Sequence, residues 1–248
     1  MKLNESSNPT LSDKVFSKFA YASEESRMTT TGAMNKTAIL LAIAIVAASF
    51  VWAKVMANPA AAMPWVITGS LAGFVVALIT SFKPHLAKTT APIYAALEGL
   101  FLGGISALME ASYPGIVMNA VALTMAVFAV MLYLYRSEKI RATGKFRTGV
   151  IAATGGIALV YFVSFILGLF GVNVGFMHGG GTLSIVISLV VVAVAALNLI
   201  LDFDFIDKAA RNGAPKEMEW YGAFGLMVTL VWLYIEILRL LSKFASRD

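Results

Sequence analysis

The sequence predicts an all-α fold: a polytopic membrane protein built as a bundle of seven transmembrane helices. Three observations predict it. Of 248 residues, 59% are hydrophobic and only 13% charged, with a mean hydropathy of +0.80, so the polar side chains needed to cover a soluble domain of this length are missing. Apolar stretches of about 20 residues, the length that crosses a hydrocarbon core of about 30 Å, recur along nearly the whole chain. Lysine and arginine gather in alternate connectors, the pattern of a chain threaded back and forth through a bilayer.

Taken in order, residues 1–36 are a hydrophilic tail, with Phe16, Phe19 and Tyr21 as its few large aromatics. It mixes both signs of charge and has no apolar core before a cleavage site, so it does not read as a signal peptide. The membrane domain then covers 37–248. Its first span is 37–57, followed by the short turn NPAAAMP. The second is 64–82, with Pro64 in the first turn, where a helix tolerates proline. The third is 91–110 and the fourth 116–135. The basic connector RSEKIRATGKFR leads to the fifth, 150–170. The glycine-rich loop GVNVGFMHGGG leads to the sixth, 183–201 or a little beyond, and the polar connector DFDFIDKAARNGAPKEME to the seventh, 220–241.

The tail and the second–third, fourth–fifth and sixth–seventh connectors carry five, two, five and three basic residues, whereas the opposite connectors carry only Lys54. This asymmetry predicts a cytoplasmic N-terminus. Seven spans then put the C-terminus outside. Arg239, Lys243 and Arg247 at that end pull the other way, which leaves a six-span or re-entrant arrangement open. Gly69 with Gly73, and Gly99 with Gly103, have the spacing that lets helix backbones approach closely, and packing is the reading for them.

Several chemistries are excluded. There is no cysteine, hence no disulfide, thiol catalysis or cysteine metal site. The two histidines, His85 and His178, fall in connectors on opposite sides, which argues against a histidine metal site. ATGKFRTG lacks the upstream glycine and the Ser/Thr of a phosphate-binding loop, and no serine sits in a Gly-x-Ser-x-Gly elbow. Lys243 falls beyond the last span and so cannot hold a retinal. There is no enzyme signature, no cofactor is expected, and the charge of +5 points to membrane topology rather than nucleic acid.

The informative residues are the ionisable ones inside the spans, because a charge at a helix centre costs at least about 2.5 kcal/mol on insertion scales. Glu98 lies mid-span in YAALEGLFLGG, with no basic residue near it in its own helix, so its partner is expected from another helix or from water. Asp202 and Asp204 stand at the cytoplasmic end of the sixth span, in NLILDFDFID; their plain reading is interfacial. Asn198, one turn before Asp202, extends that polar face into the membrane. Glu236 and Arg239 are three apart in the seventh span and have the spacing to neutralise each other. Burial disfavours the charged form of a carboxylate, so such groups can titrate near physiological pH, and clustered carboxylates attract hard cations such as calcium.

In EGLFLGGIS, LDFDFI and the final LYIEILRLLSKFASRD the chain resembles the Bax inhibitor family (transmembrane Bax inhibitor motif proteins), over all seven spans from about residue 30 to the end. FGLMVTLVWLYIEILRLL most resembles a bacterial branch. The resemblance implies a seven-helix fold with the last helix central among the other six, in a bacterial cytoplasmic membrane. It also implies a pH-sensitive calcium leak gated by an aspartate pair on the sixth and seventh helices. Asp202 falls at the aspartate of the family's YDTQ-like motif and Asp204 at its glutamine position. The second aspartate's position is matched by Thr229; Glu236, two turns further along, and Glu219, at the start of the seventh span, are other candidate partners for Asp202.

The leading expectation is therefore a calcium-permeable leak channel, with Asp202 as the gating carboxylate, calcium held transiently at Asp202 and Asp204, and Glu98 and Glu236 lining the path or sensing protons. A proton-coupled transporter using the same acids is the first alternative. The second is a non-transporting regulator that binds another membrane protein, such as a protease, through the polar tail; the resemblance suggests such a role for a member of the bacterial branch.

Overall fold

Sequences this apolar satisfy their backbone polar groups internally, and a helix does so within one segment. The computed structural model describes residues 27–171 and 181–246. Most of the tail (with Phe16, Phe19 and Tyr21), His178 in the glycine-rich loop, and Arg247 lie outside the described residues.

Among the described residues, seven helices are long and apolar enough to span a membrane. They are α1 (Thr30–Ala57), α2 (Ala62–Phe82), α3 (Ala87–Ser112), α4 (Ile116–Arg136), α5 (Gly144–Leu169), α6 (Thr182–Arg211) and α7 (Met218–Ala245). Two 3₁₀ turns, Pro59–Ala61 and Pro84–Leu86, lead into α2 and α3. All seven expected spans are present as helices. The boundaries differ most in α1, α5 and α6. α1 starts seven residues earlier than the apolar stretch because Thr29 caps it, accepting from the Gly32 amide at 2.9 Å. α5 starts at Gly144 for the same reason, with Thr143 accepting from Phe146 N at 3.3 Å. α6 runs on to Arg211, ten residues past Leu201, and carries Asp202 and Asp204 within it.

α7 is the hub. It packs against α1, α3, α4 and α6, and 72% of its apolar window is buried, against 6% for α5. The fully buried Tyr221, Phe224, Met227, Leu233 and Leu238 all project from it. The last helix is thus central, as expected. α1, α2 and α3 form a tight trio in which glycines bring backbones together: Gly99 and Gly103 of α3 sit on the Ala44 and Ala48 carbonyls of α1, and Gly69 of α2 lies against Leu97 O and Phe101 N of α3. α5 stands at the periphery on α6, with Leu159, Phe162 and Phe165 turned outward to where lipid lies.

A short strap closes one end of the bundle. Met28, itself buried, donates its amide to Ala214 O at 2.7 Å, and Arg27 bridges to Pro215, so the segment entering α1 is fastened across the α6–α7 turn. This end also holds Lys83, Lys88 and the basic α4–α5 connector, and is called the basic end below.

Candidate functional site

Polar side chains are scarce inside this bundle, and most of the buried ones fall on one seam between α5, α6 and α7. α5 and α6 are antiparallel neighbours, as are α6 and α7. On α5, Arg147, Thr154 and Tyr161 recur every seven residues, which keeps them on one face. On α7, Thr229, Glu236 and Lys243 have the same spacing. Between them α6 presents Asp204, Asp202, Asn198, Ser188 and Ser184.

From the basic end inward, the contacts run as follows. Asp204 Oδ2 accepts from Arg147 Nη2 at 2.6 Å and from Lys208 Nζ at 2.7 Å. Asp202 Oδ2 accepts from the Thr229 hydroxyl at 2.5 Å. Asn198 Nδ2 donates to Thr154 Oγ1 and to Val194 O, both at 2.8 Å. Tyr161 donates its hydroxyl to the Glu236 carboxylate at 3.0–3.1 Å. Arg239 Nη1 reaches the Tyr161 oxygen at 2.8 Å and Glu236 Oε1 at 3.2 Å, and its guanidinium lies 5.1 Å from the Tyr161 ring centre. Lys243 Nζ ends the file on Ser188 Oγ at 2.7 Å and Ser184 O at 3.2 Å. From Thr229 to Lys243 the file spans about 21 Å, fourteen residues at 1.5 Å each.

Asp202 and Asp204 are 1% and 8% exposed, enclosed by neighbouring helices within an α6 that runs past the expected end of the span. They do not form a shared cation site. Two residues apart on a helix, they face different ways, Asp202 toward α7 and Asp204 toward α5. Among the described residues no three acidic or histidine side chains converge as a metal-ligand set.

Glu236 and Arg239 do pair within their helix, as their spacing predicts, with Tyr161 bridging them. Glu219 is not a partner of Asp202. It lies ten residues before Thr229, accepts from the amide and hydroxyl of Thr29 at 3.0 and 3.1 Å, and forms an ion pair with Lys36. Its work is at the N-terminus of α1, where backbone N–H groups and the helix dipole favour a carboxylate. Glu98 lies apart from the file, on α3 facing Gly73 of α2. The polar side chain within reach of it is that of Tyr94, one turn earlier on the same helix. Tyr94 in turn stacks edge-on against Phe224 of α7, with ring centres 5.0 Å apart.

On α5 the sequence reading does not single out Arg147, Thr154 or Tyr161, nor on α6 Ser184 and Ser188. Arg147 was counted with the basic connector. The signal that could have found the three on α5 is their seven-residue repeat down one face of an otherwise apolar segment.

The family model described as Bax inhibitor 1 like matches residues 8–246, nearly the whole chain. The chain belongs to the Bax inhibitor 1-like family. No curated protein and no solved structure matches it. In this Bax inhibitor 1-like protein the residue opposite the Asp202 carboxylate is a threonine. One carboxylate and one hydroxyl therefore occupy the α6–α7 contact where the resemblance leads one to expect two carboxylates. The bond between them is a charge-assisted one when Asp202 is ionised.

Proposed function

We propose that the chain is a calcium-permeable leak channel of a bacterial cytoplasmic membrane, with its basic end in the cytoplasm and Asp202 as its gating carboxylate. The observation that carries this reading is the Asp202–Thr229 contact, buried one step in from the basic end of a polar file that runs through an apolar bundle. Stability alone does not call for such a file: intramembrane polar and ionisable groups are costly, and they mark ion and proton paths.

In the conformation described, the path is closed. Arg147 and Lys208 cover the Asp204 carboxylate at one end, and Arg239 and Tyr161 cover Glu236 toward the other. A divalent cation would have to displace these contacts. Asp202, between them, accepts from a neutral donor. Protonating Asp202 turns a charge-assisted bond into a weaker neutral one, which loosens α6 from α7. The expected result is a flux that rises as pH falls.

The test is calcium flux into proteoliposomes holding the purified protein, scanned from about pH 5 to 8, the range in which a buried carboxylate titrates. Pore opening under control of Asp202 predicts a pH-dependent flux that Asp202→Asn flattens. A pH profile unchanged by Asp202→Asn removes the gating role. Saturable, solute-dependent uptake driven by the pH gradient would replace the leak by a proton-coupled transporter.

One observation favours a second reading, that of a regulator. The segment behind the tail is strapped to the α6–α7 turn through Met28 and Thr29, so a partner pulling on the tail would act on the two helices that carry Asp202 and Thr229. Absence of flux at any pH from folded protein, with capture of a membrane-protein partner that is lost on deleting residues 1–26, would support it.

A further inference from the structure

A cleft of about 520 Å³ opens at the basic end, between α4, the α4–α5 connector, α6 and the start of α1. That is within the size range of small-molecule sites, roughly 300–1,000 Å³. Its charged lining is Arg136, Arg141, Lys208 and Arg211 against Glu138, Asp204 and Asp207.

The acids are already satisfied. Glu138 pairs with Arg141 at 2.6 Å and Asp207 with Arg211 at 2.8 Å. Asp204 holds both Arg147 and Lys208. Not all of the bases are satisfied. Among the described residues Arg136 takes part in no ion pair. Arg141, Lys208 and Arg211 each answer one acid, so the cleft carries four bases against three acids. Unfilled donor capacity beside filled acceptors selects an anion and disfavours a cation. The remaining wall is apolar, with Met34, Leu132, Phe203 and Ile206, and lies where α4 and α6 leave the hydrophobic span.

We propose that this cleft binds a phosphate-bearing group, the headgroup of an anionic phospholipid, with the phosphate among the bases and the glycerol end on the apolar wall. Guanidinium groups match phosphate oxygens in a fixed fork. A basic pocket between transmembrane helices at a cytoplasmic surface is a setting in which anionic headgroups bind. An occupant would compete with Asp204 for Lys208, which is partly exposed, and so would bear on the ion pair that closes the file.

The experiment is titration calorimetry on the full-length protein in detergent micelles. The probes are dioctanoyl phosphatidylglycerol, dioctanoyl phosphatidylcholine and inorganic phosphate. Phosphatidylglycerol is expected to saturate at about one per chain. Arg136→Gln with Arg141→Gln, both exposed residues, should weaken it roughly tenfold or more, since each basic residue near an anionic headgroup contributes appreciably. Lys83→Gln with Lys88→Gln, at the same end but outside the cleft, should leave it unchanged. Inorganic phosphate binding with the same sensitivity to the Arg136 and Arg141 substitutions would identify a soluble phosphate as the source. The site is overturned if no probe saturates, if phosphatidylcholine binds as well as phosphatidylglycerol, or if the two pairs of substitutions weaken binding equally.

Discussion

Thr229 donates its hydroxyl to Asp202 across the α6–α7 contact at 2.5 Å, and both side chains are buried. The Thr229 hydroxyl thus ties the carboxylate to the helix that organises the whole bundle. Thr229→Val keeps the shape and removes the donor. A buried acceptor that loses its donor costs roughly 1–3 kcal/mol. The closed conformation should weaken by that amount, and calcium flux at neutral pH should rise above that of the unmodified protein in matched proteoliposomes. Thr229→Asp should act differently. Two facing carboxylates titrate as a coupled pair, so its flux should show a steeper or two-step pH profile.

Arg147 and Asp204 form an ion pair enclosed on both sides, with side chains 7% and 12% exposed. Breaking such a pair from one side leaves an uncompensated buried charge and costs about 3–5 kcal/mol, less here to the extent that Lys208 compensates. Arg147→Met should therefore lower the thermal midpoint in detergent. Arg147→Met combined with Asp204→Asn should lower it less than Arg147→Met alone. A double variant as unstable as the sum of the singles would show that the two side chains do not depend on one another.

Tyr161 ties α5 to α7 through both Glu236 and Arg239, in a helix that otherwise has little buried surface. Tyr161→Phe together with Thr154→Val removes two polar ties of α5 and should let it move away from α6 and α7. The natural chain has no cysteine, so a single Cys placed at Ser188 reports directly. Its labelling by a membrane-permeant maleimide should speed up in the double variant and stay slow in the parent.

The glycines divide into two classes that sequence alone does not separate. A Cβ at Gly103 would press into the Ala48 backbone, whereas one at Gly156 meets nothing within 4 Å. Gly103→Ala should destabilise by about 1–3 kcal/mol through overpacking. Gly156→Ala should cost nothing measurable. Thermal unfolding of the two variants side by side checks the contrast, and equal effects would contradict the α1–α3 contact.

Much of the fold is legible because its signals are local. Whether a segment such as 116–135 enters the membrane depends on its own side chains, and α4 appears within one residue of that reading. Helix ends are less legible where a cap, rather than hydropathy, sets them, as at Thr29 and Thr143. In the site, the Glu236–Arg239 pair follows from a three-residue spacing. Glu98, for which another helix or water is the expected partner, faces Gly73 of α2 and has Tyr94 within reach on its own helix. Glu219, weighed as a partner of Asp202, instead fastens the start of α1.

What the sequence by itself determined is the number of spans, the basic end, and the identity of the costly residues within the membrane. Each of these follows from the transfer free energy of a side chain at its own position. What only the tertiary structure decided is which of those residues meet. Hydropathy carries no information about the rotation of one helix against another, and one residue of rotation turns a side chain by about 100°. Asp202 and Asp204, two positions apart, therefore face different helices. Arg147 proves to be a buried counter-ion rather than a connector charge because α5 presents it to α6 one turn inside the bundle.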